Sequence, residues 1–161
     1  MNIPLLTDLL ELWRDTTLNN TALFTYCNTT FGKDPKIYIG IDPKNPPQIE
    51  DAPFIAIHPV GANQGIMSDS FAYSIEIHIG VDDGLYNDYN ANGSTAEMRG
   101  LYRTDAVYEL VKDALDETAS SKYLAPDMVS LDIDTEALPL VQAHVTLEAR
   151  MANTMGVNVT L

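Results

Sequence analysis

The segment from Phe71 to Val81 constrains the fold of this chain more than any other part of its sequence. Large apolar residues at the odd positions alternate with small or polar residues at the even positions. Successive side chains of a strand point to opposite faces, so this period of two predicts a long strand with one buried face and one open face. A slip of one residue would bury Glu76, so we expect the register of this strand to be well specified.

Four further segments are predicted to be strands. The first has Ile37, Ile39 and Ile41 in one row, and a proline-rich acidic loop separates it from the second, Phe54 to His58. We expect Pro59 to end that second strand, because proline has no N–H to donate to a ladder. The last two are Met128 to Asp134, with Val129, Leu131 and Ile133 facing inward, and Leu140 to Met151.

Three segments predict helices. Leucines and a tryptophan form the apolar face of the first, Leu5 to Trp13. Asn20 can cap a second helix that Gly32 ends, with Cys27 as a small core residue on its inner side. The third follows the S-x-x-E capping box of Ser94 and Glu97, and its inner face is Leu101, Val107, Leu110, Val111, Ala114 and Leu115.

The predicted order is ααβββαββ, which indicates one α+β domain over residues 1–161. We expect a two-layer sandwich, with a mostly antiparallel or mixed sheet of about five strands and the helices packed on one face. Residues 155–161 either extend the last strand or form a free tail.

Composition excludes several classes of function. The net charge of −14 repels phosphate backbones and anionic lipid, which argues against tight binding to nucleic acid or a membrane surface. No stretch has the roughly 20 apolar residues that a membrane span needs. The single cysteine and the lack of a basic, apolar leader predict a protein that folds in a cytosol.

Two acidic patterns in the sequence resemble metal or catalytic sites. Asp88, Asn90 and Asn92 match the first half of a calcium-binding loop, D-x-N-x-N-G, but Arg99 stands where the bidentate glutamate belongs. An Asn/Gly turn is the favoured interpretation, and calcium is kept as a weak candidate. Asp132, Asp134 and Glu136 resemble a phosphotransfer aspartate pair, although acidic residues on a solvated strand face explain them better.

Histidines and nucleophiles give no sequence signature of catalysis. His78 and His144 fall on the polar face by parity, near Glu76 and Glu148, and His58 lies on another strand. Without a local spacing motif, solvated or interface histidines are favoured over a shared metal site. The chain has no nucleophile elbow and no phosphate-binding glycine loop. The sequence therefore predicts a protein that is not an enzyme and has no cofactor.

The chain resembles the tail terminator family of long-tailed bacteriophages, also called tail completion or minor tail proteins. The resemblance covers most of the chain and consists of pattern features without a diagnostic motif. It comprises the leucine-rich first helix, IYIGIDPKNPP, the acidic loop into APFIAIHP, FAYSIEIHIGV, and DAVYELVKDAL before two final strands.

This resemblance implies a structural virion protein of the tail or neck, assembled in the host cytoplasm. Such subunits form a ring, usually of six, that caps the tail tube, ends its polymerisation and joins tail to head. The implied partners are other copies of the chain, the tail tube protein and a head–tail connector protein, while DNA passes through the channel without specific binding. The residues predicted to lie at the subunit interface are Glu50, Asp51, Asp82, Asp83, Tyr86 and Tyr89.

Two alternatives remain open. One is another neck or head–tail connector subunit of the same virion. The other is a small calcium-binding or hydrolytic domain that uses the segment from Asp88 to Gly93.

Overall fold

The structure is a computed structural model that describes residues 5–64, 71–84, 97–120 and 122–151. Within these ranges the elements follow the predicted order, with a short 3₁₀ turn added before the second strand. They are α1 (Leu6–Leu18), α2 (Thr21–Phe31), β1 (Lys36–Ile39), the 3₁₀ turn (Ile49–Asp51), β2 (Phe54–Gln64), β3 (Phe71–Asp82), α3 (Arg99–Asp116), β4 (Asp127–Asp134) and β5 (Leu140–Arg150). Residues 155–161, for which a tail or strand extension was predicted, lie outside the described part of the chain.

The five strands form one mixed sheet in the order β1-β2-β3-β5-β4. Strand β1 runs parallel to β2, and the remaining neighbours are antiparallel. The prediction of an α+β fold with a mixed sheet is therefore confirmed. The long strands β3 and β5 lie side by side at the centre, although a helix separates them in sequence.

The register of β3 with β5 sorts the side chains into a buried row and an open row. Ile77 lies opposite Val145, and both are fully buried beneath the helices. One residue further on, His78 lies opposite His144 on the other face. The alternation predicted for Phe71 to Val81 is thus the one that the sheet uses.

The helices cover one face of the sheet. Helix α3 packs on β3 and β5, α1 packs on β1 and β2, and both α1 and α2 contact α3. The core between the layers is made mainly of Leu9, Leu10, Trp13, Leu23, Cys27, Ile55, Ile57, Ile75, Ile77, Ile79, Val81, Val107, Val111, Leu115, Val141, Val145 and Leu147.

The ends of α2 follow the sequence prediction. The side chain of Asn20 accepts a hydrogen bond from the N–H of Leu23 at 3.1 Å, and Gly32 ends the helix with φ of +74°. A left-handed residue at this position suits glycine, which has no Cβ to clash. Cys27 is fully buried, and burial raises the pKa of its thiol to about 12, so it behaves as a small core residue.

Strand β2 does not end at Pro59, contrary to the prediction, but continues to Gln64 with a register irregularity between Pro59 and Gly61. The reason lies in the neighbouring strand. Strand β1 pairs with β2 only as far as Ile57, so beyond that point β2 has a strand on one side only. A proline is tolerated where no ladder bond to a second neighbour is needed.

Strand β1 is shorter and less buried than the isoleucine row suggested. Ile37 packs against the core, but Ile39 is exposed and Ile41 lies beyond the end of the strand. The strand ends at Ile39, and Gly40 follows it with φ of +77°. The alternation of isoleucines in β1 is therefore matched by partial burial at Ile37 but not by burial at Ile39.

Strand β4 departs most from the prediction, because the side chains expected to face inward are exposed. Leu131 and Ile133 do lie on the helix side, opposite the buried Val145 and Ala143. Met128 lies on the same side, and Val129 falls at a register irregularity. All four are between 41% and 63% exposed, because the strand lies at the sheet edge beyond the strands on which α3 packs.

Helix α3 begins later than the predicted capping box of Ser94 and Glu97 implies. It starts at Arg99, its N-cap Met98 makes no side-chain hydrogen bond, and Ser94 lies outside the described residues. The buried carboxylate of Asp83 accepts a hydrogen bond from the N–H of Gly100 instead, so a residue after β3 caps the helix. Leu101, predicted to face inward, is 40% exposed.

The open face has a small apolar cluster at one end. Phe54 lies opposite Gly80 and is buried together with Ala52 and Leu140, with the Tyr38 ring against its edge at a centroid distance of 6.3 Å. A Cβ on Gly80 would overlap the Phe54 ring. The lack of a side chain at this position is what makes room for Phe54.

We expect Gly80→Ala to destabilise the protein by about 1–3 kcal/mol, because the added methyl group must displace the Phe54 ring. Gly61→Ala is the matched control, since Gly61 is exposed in β2 and a Cβ there meets no atom within 4 Å. The control should change the free energy of unfolding by less than about 0.5 kcal/mol. Urea denaturation measures both, and equal effects of the two substitutions would contradict this account.

Candidate functional site

The three histidines lie close together on the open face of the sheet, at its centre. His58 on β2 is opposite Glu76 on β3, and His78 on β3 is opposite His144 on β5. Glu76 and His78 are two residues apart on one strand, so their side chains leave the same face. Three neighbouring strands thus place four titratable side chains in one patch.

A single carboxylate oxygen joins two of these rings. Oε1 of Glu76 lies 3.0 Å from Nδ1 of His144 and 3.0 Å from Nε2 of His78. The His78 and His144 rings are 4.2 Å apart between centroids. One potential ligand atom from each of Glu76, His78 and His144 lies within 4.8 Å of the others. We call these three residues the Glu–His–His cluster.

The two contacts of Glu76 differ in kind. The contact with His144 has hydrogen-bond geometry, whereas Nε2 of His78 is buried and has no hydrogen-bond partner despite the short distance. The difference arises because an ion-pair distance ignores direction, and a hydrogen bond requires the donor to point at the acceptor. Of the buried side-chain nitrogens and oxygens in the described residues, this is the one left without a partner.

His58 stands beside the cluster but is held by the backbone. Its Nδ1 accepts a hydrogen bond from the N–H of Ile41 at 3.3 Å, so in the neutral ring the proton is on Nε2. The edge of its ring meets His78 at a centroid distance of 6.0 Å. His58 therefore packs against the cluster without sharing a ligand atom with it.

The pKa of His78 is lowered to about 4, mainly by burial and also by the nearby His144 and His58, while Glu76 opposes the shift. The side chain of His78 is 15% exposed. A buried imidazole loses hydration mainly in its charged form, so the neutral ring is favoured. At neutral pH, His78 therefore presents an unprotonated ring nitrogen.

Chemically, the Glu–His–His cluster can hold a cation or move a proton. It contains no serine, cysteine or threonine nucleophile, and Cys27 is buried on the other side of the sheet. Sequence parity placed Glu76, His78 and His144 on one face, but pairing between β3 and β5 was not readable from sequence. The predicted neighbour Glu148 lies elsewhere, opposite Ser74 and beside Arg150.

Two of the residues guessed as interface have roles inside the fold. The backbone carbonyl of Asp82 accepts a hydrogen bond from Arg103 at 2.6 Å, and its carboxylate accepts one from the N–H of Gly84 at 2.7 Å. Asp83 is 8% exposed and caps α3. The Asp83 carboxylate therefore has a role within the fold, while its place in the interface stays a prediction.

The acidic residues near the 3₁₀ turn are better placed for contact. Glu50 is exposed, and its carbonyl accepts a hydrogen bond from Lys33. Asp51 accepts a hydrogen bond from the N–H of Gln48 and pairs with Lys36 at 2.5 Å. These two interactions lower the pKa of Asp51, with the backbone bond the larger cause.

The remaining predicted residues fall into two groups. Tyr86, Tyr89 and the calcium candidates Asp88, Asn90 and Asn92 lie outside the described residues. Asp132, on β4, lies opposite His144 on the open face, and Asp134 accepts a hydrogen bond from the N–H of Glu136 in the following turn. This hydrogen bond to the local backbone fits the interpretation of Asp132, Asp134 and Glu136 as acidic residues on a solvated strand face.

The second candidate site is the outer edge of β4. We use "β4 edge" for the unpaired side of this strand together with its exposed Met128, Val129, Leu131 and Ile133. Within the described residues no strand pairs with β4 on this side. An unpaired strand with an apolar row is a place where another chain can add.

No protein-family model and no curated protein sequence matches the chain. Among the described helices, none is both long enough and apolar enough to cross a membrane.

The pKa of His78 predicts a specific loss of stability in acid. An unfolded histidine takes up a proton near pH 6.5, whereas folded His78 does so only near pH 4. Between these values the unfolded state binds more protons than the folded state. The stabilisation that neutral His78 contributes is therefore complete above pH 6.5 and is lost as the pH falls towards 4. We expect this residue to account for about 1–3 kcal/mol of the loss in metal-free protein.

The measurement is urea denaturation between pH 7 and 4 in the presence of a chelator, for the wild type and for His78→Gln. Carboxylates contribute to acid unfolding in both proteins, so the difference between their slopes isolates His78. Identical slopes, or a His78 ring signal that titrates near pH 6.5 in NMR spectra, would show that the ring is not held neutral.

Proposed function

We propose that this chain is a structural subunit of a long-tailed bacteriophage, a tail terminator that forms a ring on the end of the tail tube. The resemblance described above suggests this assignment, and the β4 edge is the observation that carries it. The fold class is the one that the resemblance implies.

The two outer strands of the sheet support ring assembly. Strand β4 at one edge and β1 at the other differ in length, direction and side chains. A contact between two different surfaces of identical subunits is heterologous, and such contacts generate a closed ring when the rotation between subunits closes. The exposed apolar side chains of the β4 edge would be removed from water in such a contact.

The charge of the chain suits a channel through which DNA passes. Glu76, Asp127, Asp132 and Glu148 lie on the open face, and each copy carries a net charge of −14. Negative walls repel phosphates and prevent the DNA from sticking. We propose that part of this acidity lines the channel, and a neutral or basic lumen in the assembled ring would contradict this.

The decisive experiment is electron microscopy of tails assembled without this protein. A tail terminator is expected to leave over-long tubes when it is missing, because polymerisation is not stopped. Tubes of normal length that fail to join heads would instead indicate a neck or connector subunit. Normal tubes on normal virions would exclude both assignments.

We further expect Val129→Lys to prevent assembly while the subunit still folds. Val129 is 63% exposed on the β4 edge, so a lysine there is tolerated by the monomer but places an unpaired charge in the contact. Leu18→Lys is the control, because Leu18 is 45% exposed at the end of α1, where a cation is favourable.

Native mass spectrometry and electron microscopy, with tail tubes added, should show rings for the control and monomers for Val129→Lys. Circular dichroism checks that both variants are folded. Rings of Val129→Lys that form as well as those of the wild type would place the subunit contact away from the β4 edge.

A further inference from the structure

We propose that Glu76, His78 and His144 form a binding site for a divalent transition-metal ion of the Zn²⁺ type on the open face of the sheet. The inference does not depend on the proposed ring, since all three residues belong to one chain. It rests on the donor set, on the unpartnered nitrogen of His78 and on the rigidity of the strands that carry the cluster.

The donor set selects the class of metal. Two imidazoles and one carboxylate are a combination that Zn²⁺ accepts, with water in the fourth position of a tetrahedron. Calcium and magnesium prefer ligand sets made of oxygen atoms, so the two histidines argue against them. The cluster therefore points to zinc or a neighbouring first-row metal.

The distances are close to those that a metal requires. Donors about 2.0–2.1 Å from a tetrahedral zinc are separated from each other by about 3.3 Å. The Glu76 oxygen lies 3.0 Å from a nitrogen of each histidine, and the three donors fall within 4.8 Å of one another. Side-chain adjustments that bring all three donor separations to about 3.3 Å would make room for an ion.

The unpartnered Nε2 of His78 is the second observation that points to a ligand. A buried polar atom without a partner is costly, and an ion or a water is one of the few things that can satisfy it. A metal ion bound between Glu76 and His144 would accept the lone pair of this nitrogen.

The backbone under the cluster is rigid, which favours a defined site. Glu76 and His78 lie on β3 and His144 lies on β5, and these are the two central strands of the sheet. Both strands are anchored from the other face by buried residues such as Ile77 and Val145. The three Cα positions are therefore fixed before any ion arrives, so little ordering is needed on binding.

Surrounding charges also favour a cation. Asp132 lies opposite His144 on β4, and the chain as a whole is strongly acidic. His58 is the neighbour that we place outside the site, because its Nδ1 accepts the N–H of Ile41 and it is not part of the three-residue group. His58 consequently provides an internal control of the same residue type on the same face.

The test uses the full chain without a polyhistidine tag, stripped with a chelator and titrated with Zn²⁺ at neutral pH. We expect one ion per chain by equilibrium dialysis and a rise in melting temperature that chelator reverses. Glu76→Gln and His78→Gln should each weaken binding at least ~100-fold, since loss of a ligand costs more than loss of an outer partner. His58→Gln should change it by less than about threefold.

Histidine ring ¹⁵N spectra provide a readout that needs no variant. Zinc should shift the ring nitrogens of His78 and His144 and leave the Nδ1 signal of His58 in place, while Ca²⁺ should shift none of them. Cobalt(II) should give the intense visible absorption of a four-coordinate ion. The proposal is overturned if fewer than one ion binds per chain, if binding survives Glu76→Gln and His78→Gln, or if His58→Gln weakens it equally.

Discussion

The pairing of β3 with β5 is the constraint on which the rest of the structure depends. One register decides that Ile77 and Val145 meet under the helices and that His78 and His144 meet on the other side. The two outcomes are inseparable, because a shift of one residue would exchange the faces of a whole strand. The hydrophobic core thus determines the position of the polar cluster without any contact between them.

Much of this fold could be predicted from local pattern. Alternation in Phe71 to Val81, the cap at Asn20 and the left-handed Gly32 are signals within a few residues of sequence, and the structure confirms each of them. Burial on β4 could not be predicted in this way. Its apolar row has the right period, but whether a helix reaches the outermost strand depends on strand order, which no local pattern encodes.

The candidate metal site also combines features that local sequence predicts with features that it does not. Parity placed Glu76, His78 and His144 on one face, yet only the pairing of strands separated by α3 brings them within reach of one ion. Asp83 is a parallel case, since a helix cap is normally sought just before the helix. Here the capping carboxylate of Asp83 lies 17 residues before Gly100, whose N–H donates the hydrogen bond.

That hydrogen bond has a consequence for how the chain can vary. Together with the contact between Arg103 and the Asp82 carbonyl, it ties the chain leaving β3 to the chain entering α3. The ends of the intervening segment are therefore fixed by groups outside it. Because the entropy of closing a loop grows only slowly, by about 0.6 kcal/mol for each doubling of length, insertions and deletions between these two ties should cost the fold little. The stability of the sheet therefore places little constraint on the length of the chain between these two ties.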